Sequence, residues 1–217
     1  ARLGVKVTLV TRSRVLPGAE PEVSEVLTGV FKAEGITILT GVQYDSIRHA
    51  KGGVTLRLSQ DGAAKDVTAN RIVITAGRQA NTEGLGLNEA GVQIDSRGGI
   101  VVGPDMQTSR ADTYAAGDVT DRDQFVYMAA YGAKIAARNA VLDGNNRYDN
   151  SAMPWVVFTD PQVAGVGLSE HQARDAGHEV KVSVLPLDQV PRAQAARDLR
   201  GLIKLVADRN TDQLLGG

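Results

Sequence analysis

Three groups of side chains carry the chemistry open to this sequence. Asp118 closes the run Tyr114-Ala115-Ala116-Gly117-Asp118. With 114–116 read as a buried strand, that carboxylate stands at the strand's carboxyl end, beside a glycine that permits close backbone approach. Open α/β sheets gather ligands at that edge, where an acid accepts hydrogen bonds from hydroxyls such as those of a ribose or ribityl chain. A plain turn or helix cap is the other reading of Asp118. Arg12 and Arg14, in Thr11-Arg12-Ser13-Arg14, follow a run in which apolar and polar residues alternate over 5–10. Two guanidiniums suit a phosphate dianion better than one, although two solvated surface arginines give the same pattern. The third group is Ala76-Gly77-Arg78, which follows the apolar run 72–74. Small residues there let a flat ligand approach, and Arg78 can meet a phosphate or ribose or form an ion pair. His49, His171 and His178 stand apart from other ligand-type residues, so no metal site is expected.

The elements needed to hold these groups follow from periodicity. A helix over 22–34 places Val23, Val26, Leu27, Val30 and Phe31 on one face and Gly35 just past its end. A short strand over 36–39 follows. Strands over 44–49, 54–58 and 66–74, separated by Lys51-Gly52-Gly53 and Asp61-Gly62, form a meander. Residues 85–102 read as a helical turn, short strands and a hairpin delivering the Asp118 stretch. A helix rich in alanine and glycine runs over 125–141, and polar residues 143–150 form a linker. Beyond it come strands over 153–158 and 163–167, and a helix that Ser169 and Gln172 open as a capping box and Gly177 closes. Strands over 179–185 and 202–207 complete the chain. The glycine pairs at 84/86 and 165/167 lack the third glycine and the strand–helix setting of a pyrophosphate loop, and read as turn punctuation.

The run Y-A-A-G-D, followed by Q-F-V-Y-x-A-A-x-x-G, resembles the second FAD motif of the flavoprotein pyridine nucleotide-disulfide oxidoreductases. The likeness extends along the whole chain. Thr75-Ala76-Gly77-Arg78-Gln79-Ala80-Asn81 is similar to that family's A-x-G-R-x-P-N junction, with Ala80 in place of proline. F-T-D-P-Q-V-A-x-V-G and then V-P-R-A are most similar to the family's mercuric reductases. The resemblance implies an α/β fold: part of a two-dinucleotide-binding, Rossmann-like FAD/NAD(P) flavoprotein plus the start of an α+β interface domain. Residues 1–76 would belong to the NAD(P)-binding domain, 77–150 to the FAD-binding domain and 151–217 to the interface domain that pairs two subunits into a homodimer.

The resemblance also implies roles. Gly117 and Asp118 would meet the FAD ribityl or ribose hydroxyls. Gln124, Phe125 and Val126 would present N–H groups to the isoalloxazine edge, where a helix N-terminus favours negative charge. Arg12, Arg14, Ala76, Gly77 and Arg78 would line the nicotinamide nucleotide. Thr11 stands where NAD users of the family carry an acid, and with Arg12 after it NADP is expected, although Pro17 replaces a further arginine of some relatives. The chemistry implied is NADPH-driven reduction, through FAD and a cysteine pair, of Hg(II) to Hg(0). A dihydrolipoamide dehydrogenase-like disulfide reductase is the runner-up, and a non-catalytic truncated dinucleotide-binding or dimerisation module the alternative from another class. No catalytic residue is assigned within this chain.

Composition narrows the classes. Lys and Arg number 24 against 25 Asp and Glu, so no basic face invites nucleic acid or an anionic membrane surface. No apolar run approaches the roughly 20 residues that span a bilayer. With no cysteine there is no disulfide framework, and a cytoplasmic protein is expected. The opening A-R-L-G, read as the tail of a helix and a turn, and the closing D-Q-L-L-G-G lead us to expect an internal segment of a longer enzyme.

Overall fold

The computed structural model describes residues 1–142 and 144–217, with Ala50 described by its backbone alone. The chain divides into two compact units, one built from residues 1–73 and 152–217, the other from 74–151.

In the first unit, β1 (Thr8–Val10) and β2 (Thr37–Leu39) lie parallel, joined through α1 (Pro21–Ala33). Pro21 suits the first helical position because its missing N–H would have no partner there. Gly35, at φ +80°, sits just past the capping residue Glu34 and donates to Lys32 O. The helix buries Leu27 to 1% exposure in a cluster with Val15 and Val163, each apolar and each from a different stretch of chain. The strand expected over 5–10 is shorter. Only three residues find partners in β2, and Val5 is exposed. Residues 1–4 form a turn, Gly4 N–H donating to Ala1 O, where a helix tail was expected.

The meander is present: β3 (Val42–Ala50), β4 (Gly53–Gln60) and β5 (Ala63–Ala69) pair antiparallel in that order. Asp61 and Gly62 both take positive φ (52° and 79°), which a two-residue hairpin of this twist requires. The third strand stops at Ala69, short of the expected Ile74. Its last partner, Val54, is one residue from the start of β4, so nothing on that strand remains to pair with residues 72–74. Val73 is accordingly 84% exposed.

The later part of this unit follows the expected pattern. β6 (Pro154–Val157) and β7 (Val163–Val166) form an antiparallel pair, and β8 (Val180–Pro186), β9 (Leu202–Asp208) and β10 (Leu214–Gly216) form a second sheet. Two short helices, α3 (Glu170–Asp175) and α4 (Pro191–Ala196), connect them. The capping box closes as its spacing demands: Gln172 N–H donates to Ser169 Oγ, and Ser169 N–H to Gln172 Oε1. Gly165 is more than punctuation, because a Cβ there would lie 2.6 Å from the Trp155 indole. Lys204 of β9 is buried, its ammonium bonded to Glu20, Glu22 and Glu170. Burial pulls that ammonium's pKa down, but the hydrogen bonds it donates to Glu170, Glu22 and Glu20 outweigh it and leave it raised.

The second unit is mostly turns and isolated bridges packed beneath one long helix, α2 (Val126–Leu142). Val92, Ile100, Val102, Met106, Ile135 and Ala136 form its core. Residues 114–116, expected as a buried strand, are half-buried extended chain held by the Gln107–Tyr114 bridge and the Ala115 N–H bond to Met106 O. Of the expected linker over 143–150, Asp143 lies outside the described residues. The remainder is strapped down: buried Asn139 donates to Asp105 O and Asn146 O, and Tyr148 N–H donates to Pro104 O. Among the described residues, no helix is long and apolar enough to cross a membrane, and no His, Asp or Glu cluster could hold a metal ion.

Candidate functional site

Gly117 and Asp118 stand where the half-buried chain of the second unit turns into a single 3-10 turn, Asp118–Thr120. Gly117 takes φ 79° and ψ −159°, and a Cβ on it would meet the Ala129 methyl at 3.0 Å. Glycine is required there on both counts. Gly117, not Asp118, takes the capping position of that turn. The Asp118 carboxylate is exposed, and among the described residues no protein group donates to it. An uncommitted carboxylate of this kind suits a ligand that brings hydroxyls.

The loop from Asp121 to Gln124 then leads into α2, and it is clamped at every residue. Asp121 takes a left-handed conformation, accepts from Gln124 Nε2 at 2.9 Å and pairs with Arg97 at 2.8 Å. Arg122 donates to Val102 O. Asp123 Oδ2 accepts from Tyr148 Oη at 3.0 Å and Asn150 Nδ2 at 2.8 Å. Burial, followed by the hydrogen bond to Asp123, raises the Tyr148 hydroxyl well above the ordinary phenol value. Arg78 Nη1 donates to Gln124 O at 3.0 Å, which ties the 76–78 run to the mouth of the helix. Arg78, Arg97, Asp121, Asp123, Gln124 and Phe125 line a cleft of about 520 Å³.

The three expected N–H donors differ. Phe125 N–H is already given to Asp123 O at 2.6 Å, whereas those of Gln124 and Val126 have no acceptor among the described residues. Val126 itself is 88% exposed. An N-terminal helix turn with unspent donors carries partial positive charge and favours an electron-rich ligand edge.

The nucleotide candidates are distributed over both units. Ala76 and Gly77, the latter at φ 116°, are exposed on the second. Arg12 and Arg14 are exposed on the first, in the loop between β1 and α1. They are not equivalent. Arg14 Nη2 donates to Pro17 O at 2.9 Å and Ala19 O at 2.6 Å, so it shapes its own loop. Arg12 has no partner among the described residues and is the freer cation.

The profile of the pyridine nucleotide-disulphide oxidoreductases matches residues 1–137, and that of the family's dimerisation domain matches residues 153–217. The chain belongs to this family. Relatives include the mercuric reductases of Bacillus cereus and Streptomyces lividans, 42% and 43% identical over 99% of the chain. The chain spans 34% and 45% of the lengths of those two proteins. Its fold is similar to the Cu(II) complex of the HOCl-induced flavoprotein disulfide reductase RclA from Escherichia coli, with a TM-score of 0.87 and 28% identity over 98% of this chain and 48% of that one. LpdA from Mycobacterium tuberculosis gives a TM-score of 0.86 at 27% identity, over 99% of this chain and 46% of that one.

Membership accounts for the mixed helix–strand architecture as part of an FAD- and NAD(P)-binding fold followed by dimerisation-domain elements. It also implies FAD and a nicotinamide nucleotide as cofactors. The residues fit such groups: Asp118 offers a free carboxylate, Gly117 takes a conformation and a close contact that no side chain would allow, and the Gln124 and Val126 N–H donors are unspent where the cleft-lining loop enters α2. The sequence reading missed the Tyr148 and Asn150 anchors of Asp123. Their stretch, D-G-N-N-R-Y-D-N, is rich in donors, and that was the available signal.

Proposed function

We propose that the chain is part of an NADPH- and FAD-dependent mercury(II) reductase acting as a cytoplasmic homodimer. In that enzyme residues 1–76 belong to the nicotinamide-nucleotide domain, 77–150 to the FAD domain and 151–217 to the interface domain. The observation that carries this reading is the identity of about 40% with mercuric reductases along nearly the entire chain. In it, Asp118 accepts from ribityl or ribose hydroxyls, and Gly117 lets the backbone approach. Gln124 and Val126 turn their N–H groups toward the electron-rich ring edge, while Arg78 holds the Gln124 carbonyl and so fixes that donor pair. Arg12 meets the 2′-phosphate of NADP, with Ala76 and Gly77 beside the nucleotide. FAD held by these residues would supply the redox chemistry that links a nicotinamide nucleotide to a thiol pair outside these residues. Soft thiolates are the natural ligands of a soft Hg(II) substrate.

The structural similarity to flavoprotein disulfide reductases favours a second reading, in which the terminal acceptor is a disulfide. One experiment separates them. The full-length protein is purified, its flavin absorbance recorded, and NADPH oxidation followed with Hg(II) in excess thiol or with a disulfide substrate. Hg(II)-dependent oxidation with release of Hg(0) is expected. Turnover of the disulfide alone would transfer the assignment to the second reading, and a protein that never carries flavin would remove both.

A further inference from the structure

The loop bearing Arg12 is held in place by residues far from it in sequence. Its start is fixed by Thr11 N–H, which donates to Leu39 O at 2.9 Å. Its middle is fixed by Arg14 on Pro17 and Ala19, and by Ser24 Oγ, which donates to Val15 O at 2.5 Å. Val15 in turn packs with Leu27 and Val163. The loop's far end is Glu20, the residue that precedes α1. Glu20 Oε1 accepts from Glu170 N–H at 2.6 Å, and Glu20 Oε2 accepts from Lys204 Nζ at 3.0 Å. Val163, Glu170 and Lys204 all lie in the segment that matches the dimerisation-domain profile.

We propose that Glu20 and Lys204 are positioning residues for nucleotide selectivity, so that the dimerisation segment sets the geometry of the loop that reads the 2′-phosphate. This rests on the reading that Arg12 meets that phosphate. Arg12 is exposed and has no protein partner among the described residues, so its guanidinium is aimed only by the backbone beneath it. A bidentate contact with a phosphate tolerates little displacement of the fork. Lys204 is placed to hold that backbone rigidly. Its side chain is only 4% exposed, and it joins the loop end (Glu20) to the first turns of α1 (Glu22) and α3 (Glu170), each at 3.0 Å. Losing one carboxylate from this knot frees the loop end while leaving Arg12 in the chain.

The test uses the full-length, FAD-loaded protein and two probes that differ by one group, adenosine 2′,5′-bisphosphate and adenosine 5′-monophosphate. The wild type is expected to prefer the bisphosphate. Glu20→Ala should lower that preference about tenfold, equivalent to about 1.4 kcal/mol, with little change in monophosphate affinity. Glu20→Gln keeps an oxygen for Glu170 N–H but loses the Lys204 contact, and should fall between the two. A wild type that binds both probes equally would remove the 2′-phosphate reading itself. A wild-type preference that survives intact in Glu20→Ala, with only a lower melting temperature, would overturn the positioning role. Should Glu20→Ala fail to fold, Glu20→Gln decides alone, a reduced preference supporting the proposal and an unchanged one refuting it.

Discussion

Tyr148→Phe removes one hydroxyl from the anchor of the helix-entry loop and alters little else. That hydroxyl donates to Asp123 Oδ2 at 3.0 Å, and Asn150 Nδ2 reaches the same oxygen at 2.8 Å. A hydrogen bond to a charged acceptor contributes about 1.5–3 kcal/mol when well buried. Tyr148 is half-buried, and Asp123 keeps Asn150 after the change, so the loss should be smaller, about 1 kcal/mol. For a chain of this size that corresponds to about 2–4 °C in melting temperature.

The pH dependence offers a sharper measurement. Burial, followed by the Asp123 bond, raises the folded-state pKa of Tyr148 above its unfolded value. Its contribution is therefore complete below the ordinary phenol value of about 10 and is lost as pH climbs beyond that. Tyrosinate absorbance titrations of the wild type and Tyr148→Phe should differ by one curve displaced to high pH, and the variant should show the flatter alkaline stability loss. A double-mutant cycle with Asp123→Asn should return coupling above about 0.5 kcal/mol. A difference curve centred at the ordinary phenol value, or additive single variants, would refute the clamp.

Arg12→Gln should raise the KM for NADPH far more than that for NADH, whereas Arg14→Gln should affect both along with loop stability; steady-state kinetics of the full-length protein separate them. Gly165→Ala should cost about 1–3 kcal/mol in urea unfolding, because its methyl would lie 2.6 Å from the Trp155 indole. Gly29→Ala, exposed within α1 with nothing inside 4 Å, should instead stabilise by about 0.5–1 kcal/mol. The His178 hydrogen bond, then the Thr211 and Asn210 N–H groups, hold the Asp208 carboxyl down at about 2. Its contribution is present above the ordinary value of about 3.9 and lost as pH falls through the folded one, so Asp208→Asn should flatten the acid limb of a stability profile in that window.

Local rules carried much of the fold. The apolar stripe of α1, the Asp61-Gly62 turn and the Ser169/Gln172 box each specify their element from neighbouring residues, and each formed. The errors arose where a distant partner decides. Residues 72–74 look like strand, yet β4 has no residue left opposite them. Residues 144–150 look like linker because their docking depends on Asn139, Pro104 and Asp123, none of which shows in the segment's own pattern. The site divides the same way. Gly117, Asp118 and Arg78 are candidates visible as types in a pattern, but only coordinates show that Asp118 is uncommitted and that Arg14 Nη2 bonds its own loop. Lys204 gave no sign of its role, since a lysine in a strand usually faces water.

The first unit is discontinuous, its two parts separated in sequence by residues 74–151. Glu20 and Lys204 are 184 positions apart. At ribosomal rates of about 5–20 residues per second, the first waits roughly 10–40 s for the second to be made. For most of that interval Val15 and Leu27 lack Val163, and for all of it Glu20 lacks its lysine. The nascent βαβ segment must therefore persist with an apolar face open, a window in which chaperone engagement competes with misassembly between neighbouring chains on a polysome.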